Sequence, residues 1–520
     1  MGLLVARLAG AAIGMMAARQ PGRQRGAWRC VALFGACMLA ACARQETPQT
    51  VLRVGLAQPV LDVDPRRAAD AASARIGRLL YSRLVELDAA YRPQPAAADW
   101  RQLDALHWRF TLRAPRPRFA DGAPLTAADV AATYRAVLDA GAASPLRGEL
   151  GPLAAVTAVD DGTVDFTLSA ADPLFPARLT QGIVPARCAR PASDEGRPCH
   201  YDGSGPFALE SLAADRVVLT RRRDGLAVEF LLVPDPTTRV LKLLRGELDL
   251  LQNDLPPELV AYLEQQSAVS VLRAPGSSYH YLGFNLADPL TGDLRLRRAV
   301  AHGIDREALF RHLLGGAARP AGSVLPPGHY AAAELPEYRH DPDLARRLLA
   351  EAGIENPRLT YRTSTDPLRV RIATALQAQL AAVGIRVRVQ STEWGSFFDA
   401  VRGGRFQMYS LAWVGVTQPD VLRQLFHSAS VPPAGANRGR FADPTVDALL
   451  DAATGAVPPR QTALYQDAQR RIHAKLPYVP LWYEDNVAAV RAGVRGYALR
   501  PDGAWDALDR TDPPDARHPH

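Results

Sequence analysis

The sequence predicts an α/β fold, because strand-like and helix-like segments alternate along it. The strand-like segments are residues 51–56, 107–112, 163–168, 228–233, 279–285 and 385–390. Several of them carry apolar residues at every second position, as half-buried strands do. Helix starts are also marked: Thr126 stands three residues before Asp129, as in a capping box, and a proline follows each of three capping aspartates, Asp341, Asp366 and Asp443. A helix over 366–384 that leads directly into a strand is typical of α/β construction.

The first 41 residues are predicted to be an export signal and not part of the fold. Residues 1–41 contain five arginines and no acidic residue. The apolar stretch at 31–41 is shorter than the roughly 20 residues that span a bilayer. The sequence Leu39-Ala40-Ala41-Cys42 resembles a lipoprotein cleavage signal. We therefore expect Cys42 to carry the lipid, residues 42–50 to form a tether, and the protein to be exported and anchored to a membrane, facing the periplasm or the cell exterior.

Much of the positive charge of the chain belongs to this signal. The formal net charge of +7 falls to +2 when residues 1–41 and their five arginines are removed. Nucleic-acid binding needs a concentrated basic surface, so no nucleic-acid partner is predicted. The two local arginine runs, at 221–223 and at 295, 297 and 298, are interpreted as solvated faces.

Two cysteines remain beyond Cys42, and they lie close together in the sequence. Cys188 and Cys199 bracket a loop rich in proline, glycine and serine. In an exported protein such a pair indicates a disulfide. Metal binding is the weaker alternative, because His200 is the one further ligand beside them and a tetrahedral site needs four.

Motifs that mark catalytic sites are missing from the sequence. It contains no HExxH, no GxSxG, no GxGxxG after a strand and no phosphate-binding loop of the Walker type. The histidines are scattered without metal-ligand spacing. The chain is therefore predicted to be no enzyme and to hold no metal and no cofactor.

Several motifs along the chain resemble, in the same order, those of the peptide, nickel and opine solute-binding proteins that feed ABC transporters, known as solute-binding protein family 5. Any one motif is weak, but nine of them follow the order of the family over the mature chain. The segments that carry the resemblance are 80–88, 108–113 with 119–130, 203–207, 244–249, 282–285, 296–306, 342–353, 443–447 and 476–481.

The resemblance implies a periplasmic-binding-protein type II fold with two lobes, three domains and a hinge. About 475 mature residues are also too many for one hydrophobic core. Domain I would comprise 51–90, 200–276 and 481–510, domain II would be 91–199, and domain III would be 277–480. The implied function is that of an extracytoplasmic substrate-binding lipoprotein, monomeric, which binds peptides or peptide-like solutes in an interlobe cleft and delivers them to an ABC permease.

The same resemblance indicates the residues of the site. In peptide-binding relatives an aspartate three residues after a tryptophan pairs with the amine of the peptide, and here Val416 occupies that position after Trp413. The expected ligand-binding residues are Trp413, Val416, Tyr279, Tyr281, Trp394, Asn437, Arg438 and Trp482. Packing inside the fold is the alternative for the aromatic residues, and a surface position is the alternative for Arg438.

Val416 leaves the class of ligand open. A valine cannot compensate an ammonium group, and burial of an unpaired charge is expensive. The alternatives are a non-peptide ligand on the same fold (haem, a metal chelate or an opine) or, with less support, a hydrolase or a chaperone. If the ligand is not a peptide, a Val416→Asp substitution is expected to create or improve peptide binding.

Overall fold

The computed structural model describes residues 51–514 apart from 69, 140, 142–143 and 189–201. The signal, the tether, Cys42 and Cys199 lie outside the described residues. The strands are β1 Val51–Leu56, β2 Val85–Leu87, β3 Pro93–Pro95, β4 Ala98–Gln102, β5 His107–Leu112, β6 Leu153–Ala158, β7 Thr163–Leu168, β8 Phe207–Leu212, β9 Arg216–Arg221, β10 Ala227–Leu232, β11 Leu250–Gln252, β12 Val269–Phe284, β13 Ala318–Pro320, β14 Arg358–Ser364, β15 Arg386–Thr392, β16 Met408–Trp413 and β17 Tyr478–Arg491.

The helices alternate with these strands through most of the chain, which confirms the predicted α/β construction. They are α1 Ala71–Leu80, α2 Ala127–Leu138, α3 Pro236–Leu244, α4 Pro257–Glu264, α5 Leu294–Gly303, α6 Arg306–Leu313, α7 Pro342–Glu351, α8 Pro367–Ala382, α9 Trp394–Arg402, α10 Val421–Phe426, α11 Pro444–Thr454 and α12 Pro458–Lys475. Within the described part of the chain, none of these helices has both the length and the apolar character needed to cross a membrane.

A large mixed sheet forms the backbone of the fold. Its strand order is β15-β14-β16-β12-β17-β11-β1-β10-β9-β8, with β13 paired to β17. The two long strands β12 and β17 are antiparallel, and their register runs from the pair Val269–Arg491 to the pair Gly283–Tyr478 with two irregularities. Because one end of this pair joins β11 and the other end joins β16, β12 and β17 connect the two halves of the sheet.

A second, antiparallel sheet of order β4-β5-β7-β6 lies apart from the first, with α2 packed against it. Phe110 and Phe166 meet edge-to-face at 5.1 Å in its core. The predicted capping box at the start of α2 is confirmed: the Asp129 amide donates to Thr126 Oγ1, and the Thr126 amide donates to Asp129 Oδ2 at 2.8 Å.

The described residues contain separate hydrophobic clusters. One includes β1, β9 and β10, through Val54, Leu219 and Phe230, and another belongs to the four-stranded sheet. Two further clusters cover the faces of β12, β14, β16 and β17. The side chains of Asp341, Asp366 and Asp443 cap α7, α8 and α11 as predicted.

Two of the arginines interpreted as solvated are buried, so that interpretation was wrong for Arg221 and Arg297. The Arg297 guanidinium donates to four backbone carbonyls, two of them at Thr291 and Leu476, at 2.7–2.9 Å. Arg221 holds the C-terminal segment. A local run of charge cannot show this, because the carbonyl partners of Arg297 come partly from residues 178 or more positions away.

The side chain of Cys188 is buried and disulfide-bonded. The expected partner, Cys199, lies outside the described residues, so the pairing itself stays a prediction.

Candidate functional site

An arginine lies between aromatic rings at the end of β16. The Arg438 guanidinium carbon is 4.9 Å from the ring centroid of Trp413 and 5.3 Å from that of Phe398. Phe398 in turn stacks on Trp394 with centroids 5.7 Å apart. Trp394 starts α9 and is 56% exposed. The four side chains form a continuous layer, which we call the Trp413–Arg438 wall, and cation–π attraction stabilises its centre.

Behind the wall lies a group of buried tyrosines. Tyr281 stacks on Tyr478 with ring centroids 4.0 Å apart and meets Tyr409 edge-on at 5.8 Å. These residues come from the adjacent strands β12, β16 and β17. Their hydroxyls influence one another and the Arg438 charge electrostatically, but none of the three makes a hydrogen bond of full geometry among the described residues.

The predicted site residues Asn437, Trp482 and Tyr279 are buried. Asn437 is buried and its amide is occupied, donating to the carbonyls of His427 and Phe441 and accepting the Phe441 amide. Trp482 is buried in a core cluster and stacks on His280. Tyr279 is buried and stacks on Tyr281. The structure thus brings Trp413, Arg438, Tyr281 and Trp394 together and assigns the other aromatic side chains to packing.

Val416 belongs to an apolar core cluster and is 6% exposed. It follows the left-handed residue Gly415, and the side chain points away from solvent, whereas Val414 is 66% exposed. The backbone therefore places position 416 inside the protein, where a carboxylate would be largely cut off from water.

The Val416→Asp substitution is consequently expected to destabilise the protein and not to create an amine site. A buried, unpaired carboxylate should lower the free energy of unfolding by about 2–3 kcal/mol. Denaturant unfolding of the variant, with Val414→Asp as the exposed control that should change stability little, measures this. An unchanged midpoint together with new peptide binding would contradict the expectation.

Several contacts tie the loop after Trp413 to a distant part of the chain. Arg178 donates to both Asp172, at 2.6 Å, and Asp420. The Gln418 amide donates to the Ala177 carbonyl at 2.8 Å. Asp420 therefore pairs with an arginine from the segment that follows β7.

A second tie of this kind involves a histidine. The ring of His329 stacks on Tyr91, with centroids 5.2 Å apart, and the Tyr330 amide donates to the Ala90 carbonyl at 3.0 Å. His329 Nδ1 accepts the Ala331 amide at 3.1 Å, which requires that nitrogen to be unprotonated, and Nε2 lies 3.3 Å from the Thr417 carbonyl. Burial lowers the pKa of His329 to about 4.

This pKa predicts a loss of stability on acidification. The folded-state pKa lies below the unfolded value of about 6.5, so the unfolded chain binds the proton first, and stability falls as the pH drops from 6.5 towards 4. Between pH 7.5 and pH 5 the loss from His329 amounts to about 2 kcal/mol.

A His329→Asn variant, which keeps an acceptor but does not titrate, is expected to lose about 2 kcal/mol less than wild type between these pH values. Urea unfolding at pH 7.5 and 5 measures the difference, and His312→Asn, at an exposed position, is the control. Equal pH dependence in wild type and His329→Asn would contradict the assignment.

Metal binding finds no support in the described residues, which contain no group of three or more His, Cys, Asp or Glu side chains able to hold an ion. The wall itself offers aromatic faces and nitrogen donors, which suit an organic ligand.

Sequence reasoning missed Phe398, which is part of the wall, and Tyr409 and Tyr478, which lie behind it. Tyr409 and Tyr478 stand in strands where aromatic residues are common, so their sequence context is that of ordinary core residues. Only the pairing of β16 and β17 with β12 shows that their side chains meet.

The substrate-binding protein CtaP of an ABC transporter from Listeria monocytogenes has the same fold: the two chains are 23% identical, with a TM-score of 0.80 over 89% of this chain and 98% of CtaP. This fold is that of the periplasmic binding proteins of type II, so the predicted fold class is confirmed.

The family assignment follows from the sequence match. The family described as bacterial extracellular solute-binding proteins, family 5 Middle, matches residues 90–431, and this chain belongs to it. The dipeptide-binding protein of Escherichia coli K12 is 25% identical over 372 residues, 67% of this chain and 69% of that protein. Heme-binding protein A of Haemophilus influenzae is 28% identical over 383 residues, 68% of this chain and 69% of that protein.

Proposed function

We propose that this chain is the extracytoplasmic substrate-binding subunit of an ABC importer, that it binds a peptide or peptide-like solute, and that it delivers the solute as a monomer to a membrane permease. The family match over residues 90–431 is the observation that carries the proposal. The similarity to a dipeptide-binding protein supports a peptide-like ligand, and the similarity to a haem-binding protein supports the non-peptide alternative.

The proposed domains are the ones expected from the sequence: 51–90, 200–276 and 481–510 for domain I, 91–199 for domain II and 277–480 for domain III. The separate hydrophobic clusters support this division, because the buried residues of one lie within 84–183 and those of two others lie within 279–483. Domains I and III would then be joined through β12 and β17, and the ligand would bind between them beside the Trp413–Arg438 wall.

Contacts between the proposed domains support a hinge mechanism. Arg178 and Asp420 would belong to domains II and III, and Tyr91 and His329 to the same two domains. These contacts break if the lobes separate, whereas the backbone of β12 and β17 can bend. A ligand that touches both lobes would then shift the population towards the closed form, which the permease recognises.

The lipid anchor at Cys42 is part of the proposal, since the chain begins with a basic, acid-free segment that ends in Leu-Ala-Ala-Cys. Two acyl chains on such a cysteine would hold the protein at the membrane where the permease lies.

The experiment that tests the proposed function is native mass spectrometry of residues 43–520 purified without denaturation, followed by thermal unfolding with peptide pools. A bound mass that fragments as peptides, or stabilisation by the pools, is the expected result. A co-purified haem, metal complex or opine, with no response to peptides, would replace the peptide ligand by the alternative. Turnover of a solute would contradict a pure binding function.

A further inference from the structure

The charge of Arg438 is not balanced by any carboxylate in the described residues. Its guanidinium lies against the rings of Trp413 and Phe398, and the groups that act most strongly on its charge are the hydroxyls of Tyr281, Tyr409 and Tyr478. Most other arginines buried to a similar degree in this chain donate to carboxylates or backbone carbonyls, as Arg178 and Arg297 do. Arg438 therefore has donor capacity left over.

The tyrosine hydroxyls around Arg438 also have hydrogen-bonding capacity that the described residues do not use. Tyr281 and Tyr409 are fully buried and Tyr478 is 5% exposed. Their hydroxyls lie close to one another, and that of Tyr281 lies close to Arg438, yet none of the three has a hydrogen-bond partner of full geometry in the described part of the chain. The indole nitrogen of Trp413 is also buried without a partner. A buried polar group without a partner costs about 1–3 kcal/mol, so four such groups in one place need an explanation.

The guanidinium, the indole and the three tyrosine hydroxyls can all donate a hydrogen bond. The indole N–H and the guanidinium have no acceptor atom. Burial raises the pKa of Tyr409 and Tyr478 well above the usual value, so both hydroxyls keep their protons. The hydroxyls can also accept, but the cluster holds more donor hydrogens than acceptor atoms. A group that brings acceptors would balance it, and a planar guanidinium matches a carboxylate in two parallel hydrogen bonds.

We propose that Arg438, Trp413 and the hydroxyls of Tyr281, Tyr409 and Tyr478 form an anion subsite that binds a carboxylate of the solute. The inference rests on the proposed function and narrows the class of ligand: the part of the solute that contacts Arg438 is a carboxylate. It needs no free amine here, because Val416, at the position where the resemblance places the amine-binding aspartate of peptide-binding relatives, is an apolar core residue.

The first test compares three matched pools of short peptides by thermal unfolding and calorimetry: unmodified, N-acetylated and C-amidated. The subsite predicts that acetylation leaves binding unchanged within about threefold, whereas amidation weakens it by about tenfold or more. C-amidated peptides that bind as tightly as the free acids would overturn the subsite while leaving the proposed function intact.

The second test does not depend on the natural solute. Succinate at constant ionic strength is expected to raise the unfolding temperature of the wild-type protein, and its neutral analogue succinamide is not. Arg438→Gln should lose the response to succinate, and Arg438→Lys should keep part of it. Arg402→Gln changes an exposed arginine at the end of α9 and should respond like wild type.

The outcomes of the two tests separate the two proposals. A response to succinate that requires Arg438, together with no response to any peptide pool, supports the subsite and overturns the peptide ligand. An equal response to succinate in wild type and Arg438→Gln overturns the subsite whatever the peptides do. If Arg438→Gln does not fold, the wild-type comparison of succinate with succinamide decides alone.

Discussion

Replacing Arg178 by methionine is expected to lower the free energy of unfolding by about 3–5 kcal/mol, the loss typical of a buried ion pair that is deprived of one partner. Arg178 Nε donates to Asp172 Oδ2 at 2.6 Å, and its NH2 group donates to Asp420, 242 residues away in sequence. Asp172 is buried. Without the arginine its carboxylate would stay in the protein with no cation to balance it.

The site of this ion pair leaves little room for adjustment. Gly151 has a positive φ of 58°, and a Cβ atom there would lie 2.7 Å from Arg178 Nε. The glycine allows the guanidinium to pass close to the backbone on its way to both carboxylates. Since a methionine has a similar volume but no charge, the variant isolates the electrostatic loss from the packing loss.

Urea unfolding followed by fluorescence measures the effect of Arg178→Met. Arg423→Met is the matched control, because Arg423 pairs with Asp451 and both side chains are at least 40% exposed; such pairs contribute less than about 1 kcal/mol. In small-angle scattering, the Arg178 variant should also show a larger radius of gyration if the proposed lobes separate. Equal unfolding midpoints in the two variants would contradict the role of Arg178.

The second large effect is expected for Arg221→Met, about 2–3 kcal/mol, because the carbonyls of Leu508 and Thr511 lose their buried donor. Arg221 is 1% exposed and makes two parallel hydrogen bonds to Asp224, at 2.9 and 2.7 Å. It also donates to Asp512 at 2.9 Å and to the Thr511 carbonyl at 2.6 Å. The guanidinium thus attaches the last described segment of the chain to β9.

Loss of this attachment should free the C-terminal segment before the rest of the protein unfolds. We expect limited proteolysis of Arg221→Met to cut first after residue 500, and urea to unfold the variant at lower concentration. Arg223→Met is a close control, because Arg223 pairs with the same Asp224 and Asp512 at 3.4 and 3.5 Å but its side chain is 49% exposed. If both variants are cut and unfold alike, burial of Arg221 is not the cause.

Local structure could be predicted well from the sequence. The segments 51–56, 107–112 and 163–168 are strands with the predicted bounds, and the predicted start of the helix at Asp366 is correct. Alternation of apolar side chains and capping by Asp before Pro act over a few residues, so a short window of sequence contains the whole cause. The segment 279–285 shows the limit of prediction from local sequence. Most of it belongs to the sixteen-residue strand β12, whose full length the local pattern does not reveal.

The sequence by itself thus determined the α/β fold, the family and the bounds of several elements, because these depend on local periodicity and on motifs in order. Only the tertiary structure decided that Arg221 and Arg297 are buried, that Trp394 is exposed, and that Arg438 lies between Trp413 and Phe398. Burial and donor balance depend on side chains that strand pairing brings together from positions far apart in the chain, and neither composition nor spacing records those distances.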